Sequence, residues 1–167
     1  MNLILIGMPG CGKSTVGVLL AKSMLYNFID TDLIIQGEYS LPLSEIIEKR
    51  GTEAFKEIEN DILKDLKVKS TVIATGGSAV YGDAAMKHLQ SIGTVIYLRA
   101  SYETVAQRVS DISGRGVVTR HGQTLLDIFN ERSPLYEKYA HTVCDMDGKT
   151  VEDNLKTVLA AIEKSEA

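Results

Sequence analysis

The segment formed by residues 7–15 constrains the fold of this chain more than any other part of the sequence. It contains Gly7, Gly12, Lys13 and Ser14 in the pattern G-x-x-x-x-G-K-[ST], in which backbone N–H groups of a glycine-rich loop surround phosphate groups. A short apolar run before it is typical of a buried strand, and the residues after it are apolar at helical spacing. The segment therefore predicts a loop that joins a strand to a helix N-terminus, where free N–H groups and the helix dipole favour an anion.

The residue types in this loop suit a nucleoside triphosphate. Lys13 is expected to reach the β- and γ-phosphates and to act in catalysis, and the Ser14 hydroxyl is expected to hold Mg²⁺. The glycines allow the backbone to approach the phosphates closely. We therefore expect the ATP-binding residues to include six consecutive positions: Gly10, Cys11, Gly12, Lys13, Ser14 and Thr15.

Length, charge and cysteine content limit the function classes. A chain of 167 residues predicts one domain, 1–167, with a core large enough for a monomer. The formal net charge of -4 disfavours nucleic acid or an anionic membrane as a general partner. No apolar run approaches the roughly 18 residues of a membrane span, and Met1 is not followed by a basic signal segment. Cys11 and Cys144 form no disulfide framework, so we expect a cytoplasmic protein.

Strand and helix patterns alternate along the chain. The predicted strands are residues 3–6, 28–29, 71–74, 94–98 and 142–144, and the predicted helices include 15–25, 44–50, 52–66, 84–92, 102–110, 123–138 and 151–164. Ser44, Thr52 and Ser101 are predicted helix caps, and Pro134 predicts a break near Ser133. The alternation favours a mostly parallel sheet with helices on both faces.

Several polar residues lie at the predicted strand ends and in one loop. Asp30 and Asp32 follow the second strand, where ligands of open α/β sheets gather, and Asp30 is the expected metal-side carboxylate. On the helix 52–66, Lys56 and Glu59 are predicted to lie off the apolar stripe. Residues 111–122 have no clear period and many glycines, and are predicted to form a mobile lid.

Four further motifs, taken with the phosphate loop, resemble the shikimate kinase family along essentially the whole chain. Residues 28–32 are similar to its F-x-D-x-D segment, and residues 51–59 resemble G-E-x-x-F-R-x-x-E. Residues 75–80 resemble its G-G-G-A-V turn, and residues 131–136 match R-x-P-L-Y. The phosphate loop occurs in many folds, whereas this combination at preserved spacing is much more specific.

This resemblance implies an α/β fold, a P-loop nucleoside-monophosphate-kinase-like three-layer sandwich with a five-stranded parallel sheet. It implies transfer of the γ-phosphoryl group of ATP to the 3-hydroxyl of shikimate, with Mg²⁺ held by Ser14 and, through water, by Asp30. Asp32 would bind the acceptor hydroxyl and act as a catalytic base. The remaining implied contacts are Lys56 and Arg132 with the substrate carboxylate, Gly76 and Gly77 with the substrate, catalytic Arg115 with the transferred phosphate, and Arg108 with the adenine.

The departures from the family pattern fall on the acceptor and lid side. Lys56 stands where the family has Arg, and a lysine ammonium lacks the planar fork that pairs with a carboxylate. Ser78 replaces the last glycine of the turn, and Gly116 replaces a lid proline. Two alternatives therefore stay open: a kinase of another hydroxylated carboxylate, sugar acid or nucleotide, and a nucleotide-binding accessory protein without transfer activity.

Overall fold

The computed structural model describes residues 1–109 and 117–166. Within them five strands form one parallel sheet in the order β2-β3-β1-β4-β5: β1 Asn2–Ile6, β2 Asn27–Asp30, β3 Thr71–Ala74, β4 Gly93–Arg99 and β5 Thr142–Asp145. The β1 strand is completely buried because parallel sheets carry helices on both faces, so its five residues need no polar alternation. This confirms the predicted fold class.

Eight α-helices of the described chain cover the sheet. They are α1 Lys13–Met24, α2 Thr31–Tyr39, α3 Leu43–Arg50, α4 Thr52–Lys64, α5 Asp83–Ile92, α6 Tyr102–Arg108, α7 Leu125–Tyr139 and α8 Val151–Glu166. Helix α1 packs on β3 and α8, and α5 packs on β4 and α4. A smaller apolar cluster, centred on Ile35, Phe55 and Val118, joins α2, α3 and α4 to the segment just before α7. None of the described helices is long and apolar enough to cross a membrane.

Three details differ from the sequence-based expectations. Helix α3 begins at Leu43 after Pro42, and α4 begins at Thr52 after Gly51, so neither Ser44 nor Thr52 is an N-cap. Helix α2 directly after Asp30 was not predicted. Ser101 is confirmed as a cap, because its hydroxyl accepts a hydrogen bond from the Thr104 N–H.

Helix α7 runs through Pro134 without a break, so the predicted interruption near Ser133 is wrong. A proline inside a helix removes one N–H donor from the i to i−4 ladder. The Ser133 hydroxyl donates to the Phe129 carbonyl oxygen at 2.7 Å in the turn just before the proline. Burial of Tyr136 on the following turn holds the helix against the sheet, and this packing outweighs the local cost.

Candidate active site

The loop between β1 and α1 exposes the N-terminus of α1. Gly12 precedes the helix with φ 102°, and Gly7 ends the strand with φ 148°. A Cβ atom at Gly7 would lie 2.7 Å from the Leu98 carbonyl oxygen, so only glycine fits there. Gly12 offers no side-chain cap to the first turn of α1, whose N–H groups thus remain suited to an anion.

Lys13 lies in the first turn of α1 and is largely buried. Its Nζ donates to the carbonyl oxygens of Gly7 at 2.7 Å and Met8 at 2.9 Å, and lies 3.7 Å from Sγ of buried Cys11. The ammonium group is therefore held within the phosphate loop, as its predicted role requires. Its contact with the β- and γ-phosphates stays a prediction.

Ser14 and Asp30 meet at the carboxyl edge of the sheet. The Ser14 hydroxyl donates to Oδ2 of Asp30 at 2.7 Å, and Oδ1 of Asp30 accepts from the Asp32 N–H at 3.0 Å. Asp30 thus ends β2 and caps α2 with the same side chain. The two predicted magnesium residues are brought together although β3 separates β2 from β1.

The oxygen atoms of Ser14 and Asp30 fit Mg²⁺. This cation prefers oxygen ligands and is commonly held by one or two carboxylates together with substrate phosphates. In residues 1–109 and 117–166 no cluster of three His, Cys, Asp or Glu side chains could hold a metal ion. The chemistry of this donor pair therefore suits an ion that is shared with a nucleotide.

Two carboxyl groups lie against Gly76. A Cβ atom on Gly76 would be 2.7 Å from Oδ1 of Asp32 and 2.5 Å from Oε1 of Glu59, so a side chain there would displace these carboxyl groups. Burial, and then the negative charge of Asp30, raise the pKa of Asp32 to about 6. Burial is also the main reason that the pKa of Glu59 rises to about 7, although the Ser78 hydrogen bond opposes the rise.

Arg132 lies on the other side of the same turn and is fully buried. Its Nε donates to the Tyr81 hydroxyl at 3.3 Å and its Nη2 donates to the Val118 carbonyl oxygen at 2.5 Å. A Cβ atom on Gly77 would lie 3.0 Å from Nη1, so the third guanidinium nitrogen faces this glycine. The Gly76 N–H donates to Thr31 Oγ1 at 3.3 Å, and the Gly77 carbonyl oxygen accepts from the Tyr136 hydroxyl at 2.6 Å, so the contacts of this turn with the substrate stay a prediction.

Lys56 is not brought to the same place. Its Nζ pairs with Glu53 at 3.1 Å and lies 4.4 Å from the ring centroid of Tyr81, in a separate surface cavity. The Arg132 guanidinium contacts the same ring, with its Cζ 5.3 Å from the centroid. The two cations that were predicted to share a carboxylate therefore both contact the Tyr81 ring, but only Arg132 lines the cleft.

One cleft of about 670 Å³ joins the other described site residues. Its lining includes the phosphate loop, both aspartates, the glycine turn and two arginines: Gly10, Cys11, Gly12, Lys13, Ser14, Thr15, Asp30, Asp32, Gly76, Gly77, Ser78, Arg108 and Arg132. Arg108 also donates from Nη1 to the Gly10 carbonyl oxygen at 3.1 Å. Arg115 and residues 111–116 of the predicted lid lie outside the described residues, and the adenine contact of Arg108 stays a prediction.

Glu59 is the main site residue that sequence reasoning misplaced. It was predicted to lie off the apolar stripe of α4, but it is 1% exposed and lies behind the cleft wall, against Gly76. The buried residues of α4 are Phe55, Glu59 and Leu63. This spacing of four residues is the signal that could have identified it, because i, i+4 and i+8 share one helix face.

Comparisons with known proteins show which family this chain belongs to. The family model for shikimate kinase matches residues 9–163. A shikimate kinase of Thermodesulfovibrio yellowstonii is 34% identical over 166 residues, which cover 98% of this chain and 95% of that protein.

Solved structures give the same result. A shikimate kinase from Acinetobacter baumannii in complex with shikimate is 30% identical with a TM-score of 0.90, covering 98% of this chain and 93% of that one. The shikimate kinase of Aquifex aeolicus is 32% identical with a TM-score of 0.86, covering 99% and 98%. With the phosphate loop, the acidic pair and the buried arginine in one cleft, the chain belongs to the shikimate kinase family, the ATP-dependent phosphotransferases that act on an alcohol group of shikimate.

Proposed function

We propose that this chain transfers the γ-phosphoryl group of ATP to the 3-hydroxyl of shikimate, with the two substrates bound at opposite ends of the cleft. The observation that supports it most directly is the placement of Asp32 and Arg132 on either side of the Gly76-Gly77 turn. A carboxylate and a guanidinium that lie beside neighbouring residues of one turn can hold a hydroxyl and a carboxylate of one small acceptor. We further propose that the chain acts as a cytoplasmic monomer.

The donor half comprises the phosphate loop and the start of α1. Lys13 and the N–H groups of residues 10–15 would hold the phosphates, and Arg108 at the end of α6 would lie near the adenine. Ser14 and Asp30 would hold Mg²⁺, the latter through water, and the ion would offset charge on the phosphates when bound. Phosphoryl transfer depends mainly on positioning and charge stabilisation, which these residues can supply.

The acceptor half depends on Asp32. In its ionised form it would accept the proton of the 3-hydroxyl while that oxygen forms its bond to the γ-phosphorus and the bond to the β–γ bridging oxygen breaks. A pKa raised to about 6 leaves most of the carboxyl ionised at neutral pH while making it a stronger base than an ordinary aspartate. The same contact would orient the hydroxyl for attack.

Arg132 would bind the acceptor carboxylate through Nη1, the guanidinium nitrogen that faces Gly77. Lys56 would act on the same carboxylate from the far side of Tyr81, which requires it to leave Glu53. Arg115 would approach the transferred phosphate from the lid over residues 111–122. An arginine in this role can accelerate transfer by about 10³-fold or more in other phosphotransferases.

Of the alternatives left open by the sequence, the position of Lys56 favours one, a kinase of another hydroxylated carboxylate or sugar acid. Because Arg132 lies beside Gly77 in the cleft while Lys56 lies in a separate cavity, the predicted carboxylate site holds one of its two predicted cations and is less demanding than a two-cation clamp. A parallel assay of shikimate, quinate and gluconate as acceptors would distinguish the two candidates by their kcat/KM values.

The proposed function is tested by coupling ADP release to a spectrophotometric readout in the presence of MgATP and shikimate. We expect shikimate to stimulate ADP release far above the background hydrolysis, and the product to carry phosphate on the 3-oxygen. The Asp61→Asn variant, altered at an exposed carboxylate of α4, serves as a matched control for handling and folding. ATP binding without any stimulation by shikimate or the related acids would reject the assignment and favour an accessory role.

A further inference from the structure

Ser78 places a hydroxyl in the wall of the cleft immediately after the Gly76-Gly77 turn. The side chain lines the cleft and is 5% exposed, so it is packed in one place. Its Oγ donates a 2.5 Å hydrogen bond to Oε2 of Glu59. A hydroxyl has one proton and two lone pairs, so this contact uses its proton and leaves the lone pairs for other donors.

Glu59 holds that hydroxyl from behind the cleft. It is fully buried, and its other oxygen, Oε1, has no hydrogen-bond partner in the described structure and lies against Gly76. A buried polar atom without a partner costs about 1–3 kcal/mol, so this carboxyl is not explained by stability alone. The Ser78 hydroxyl holds Oε2 of Glu59. Oδ1 of Asp32, in contrast, lies beside Oε1 of Glu59, since the two oxygens are 2.7 and 2.5 Å from the same Cβ position on Gly76.

We propose that Ser78 is a specificity-determining residue whose Oγ, oriented by Glu59, binds a second hydroxyl of the acceptor beside the one held by Asp32. This proposal rests on the proposed function, because it assumes that the acceptor lies along the Gly76-Gly77 turn. Glu59 is a positioning residue, since it acts on the acceptor only through Ser78. The ligand class is a vicinal polyol acid, in which neighbouring hydroxyls can reach Asp32 and Ser78 together.

The serine hydroxyl can form this hydrogen bond with the acceptor, whereas a glycine has no side chain to form it. With its proton donated to Glu59, Oγ accepts a hydrogen bond from an acceptor O–H. If Glu59 is protonated, its own O–H donates to Ser78, and the Ser78 proton is then free to meet the acceptor oxygen. The contact between Ser78 and an acceptor hydroxyl therefore survives a change of charge on Glu59.

A site built around a polar contact discriminates strongly against ligands that lack the matching group, because its own polar atoms are then left unpaired. Ser78 is placed to make this distinction, whereas Thr75 at the start of the turn donates its hydroxyl to the Leu5 carbonyl oxygen and is held by the sheet. Lys56 lies outside the cleft, so recognition of the acceptor depends more on the residues that contact its hydroxyl groups.

The experiment combines Ser78→Ala with acceptors that lack one hydroxyl: shikimate, 4-deoxyshikimate and 5-deoxyshikimate, each with MgATP. We expect Ser78→Ala to lower kcat/KM for shikimate about 10-fold, the range of one hydrogen bond. For 4-deoxyshikimate, which lacks the hydroxyl next to the 3-hydroxyl, the same substitution should change kcat/KM less than about 2-fold, whereas 5-deoxyshikimate should show the same loss as shikimate. Glu59→Leu should show the same selective pattern, which a purely structural role of Glu59 would not produce.

Ser91→Ala is the matched control, since it removes an exposed hydroxyl of α5 that donates to the His88 carbonyl oxygen on the same helix. Ser78→Gly is the second variant if alanine lowers the thermal midpoint. An equal loss on all three acceptors, or no loss on shikimate, would overturn the role of Ser78 while leaving the proposed function intact. Absence of shikimate turnover by the unaltered chain would instead contradict the proposed function and this inference with it.

Discussion

The Ser14 hydroxyl donates a 2.7 Å hydrogen bond to Oδ2 of Asp30, although the two residues belong to elements separated by a strand of the sheet. This contact joins the first turn of α1 to the carboxyl end of β2. It brings two candidate oxygen ligands of Mg²⁺ together beside the phosphate loop. A change in either residue should therefore alter the Mg²⁺ dependence of the activity.

We expect Asp30→Asn to raise the Mg²⁺ concentration needed for half-maximal activity by about 10-fold or more, because an amide oxygen is a weaker ligand partner than a carboxylate. The measurement is a Mg²⁺ titration at saturating ATP and acceptor. Asp61→Asn, at an exposed residue of α4, should leave the titration unchanged. An identical Mg²⁺ dependence in Asp30→Asn and the unaltered chain would contradict the metal role of Asp30.

Asp32 should set the acid limb of the pH profile. Its pKa is raised to about 6 by burial and by Asp30, and the base is active when ionised, so kcat/KM should fall about 10-fold per pH unit below 6. Asp32→Asn should lower kcat by about 10²-fold or more and abolish this limb. The profile is measured from pH 5 to 8 at constant ionic strength. A variant that keeps the acid limb would show that another group produces it.

The buried carboxyl groups of Asp32 and Glu59 should make the fold more stable in mild acid than at higher pH. A carboxyl group whose pKa is raised by folding lowers the free energy of unfolding when it is ionised in the folded chain. This cost is absent at pH values below the ordinary pKa, because the group is then protonated in both states. The cost grows as the pH rises through the raised value, about 6 for Asp32 and about 7 for Glu59.

Replacement of either carboxyl by its amide therefore tests this stability effect. At pH 8, we expect Asp32→Asn to increase the free energy of unfolding by on the order of 2 kcal/mol, and at pH 4 to have little effect. Urea denaturation at the two pH values gives the comparison. Equal effects at both pH values would mean that the pKa of Asp32 is not raised in the folded chain.

Arg132 should control the affinity for the acceptor. Arg132→Met removes a buried charge-assisted donor, so we expect the shikimate KM to rise about 100-fold while the ATP KM changes little. Steady-state kinetics with each substrate varied separates the two constants. Arg50→Met is the control, because this arginine is exposed and lies over the Tyr39 ring. A rise in the ATP KM alone would place Arg132 on the donor side instead.

Lys56 should contribute much less than Arg132. Since its ammonium is held by Glu53 and the Tyr81 ring, we expect Lys56→Met to raise the shikimate KM only about 3-fold. Lys56→Arg should lower the KM, because a longer planar guanidinium can reach past the ring and pair with a carboxylate. If Lys56→Met matches the loss in Arg132→Met, then Lys56 enters the cleft when the acceptor binds.

The donor half of the site was predictable because its signals are local. The loop at Gly7 and Lys13 lies between a strand pattern and a helix pattern, and Asp30 follows the next strand directly. Backbone conformation and helix N-termini depend mainly on neighbouring residues, so their geometry is contained in short stretches of sequence. The parallel sheet followed from the same alternation of patterns.

The acceptor half was less predictable because it depends on which side chains packing turns inward. Lys56 and Glu59 are three residues apart on α4, yet Glu59 is buried against Gly76 while Lys56 lies over Tyr81 in another cavity. Helical spacing predicted that both lie off the apolar stripe of α4, but for Glu59 contacts with distant residues such as Ser78 decided otherwise.

The sequence by itself determined the phosphate loop, the five strands along the chain, and the family, because these depend on residue types at fixed short spacings. Only the tertiary structure decided that α7 continues through Pro134, and that Ser78 bonds a buried carboxyl. Both outcomes depend on packing between elements far apart in sequence, and such packing can outweigh local preferences by several kcal/mol.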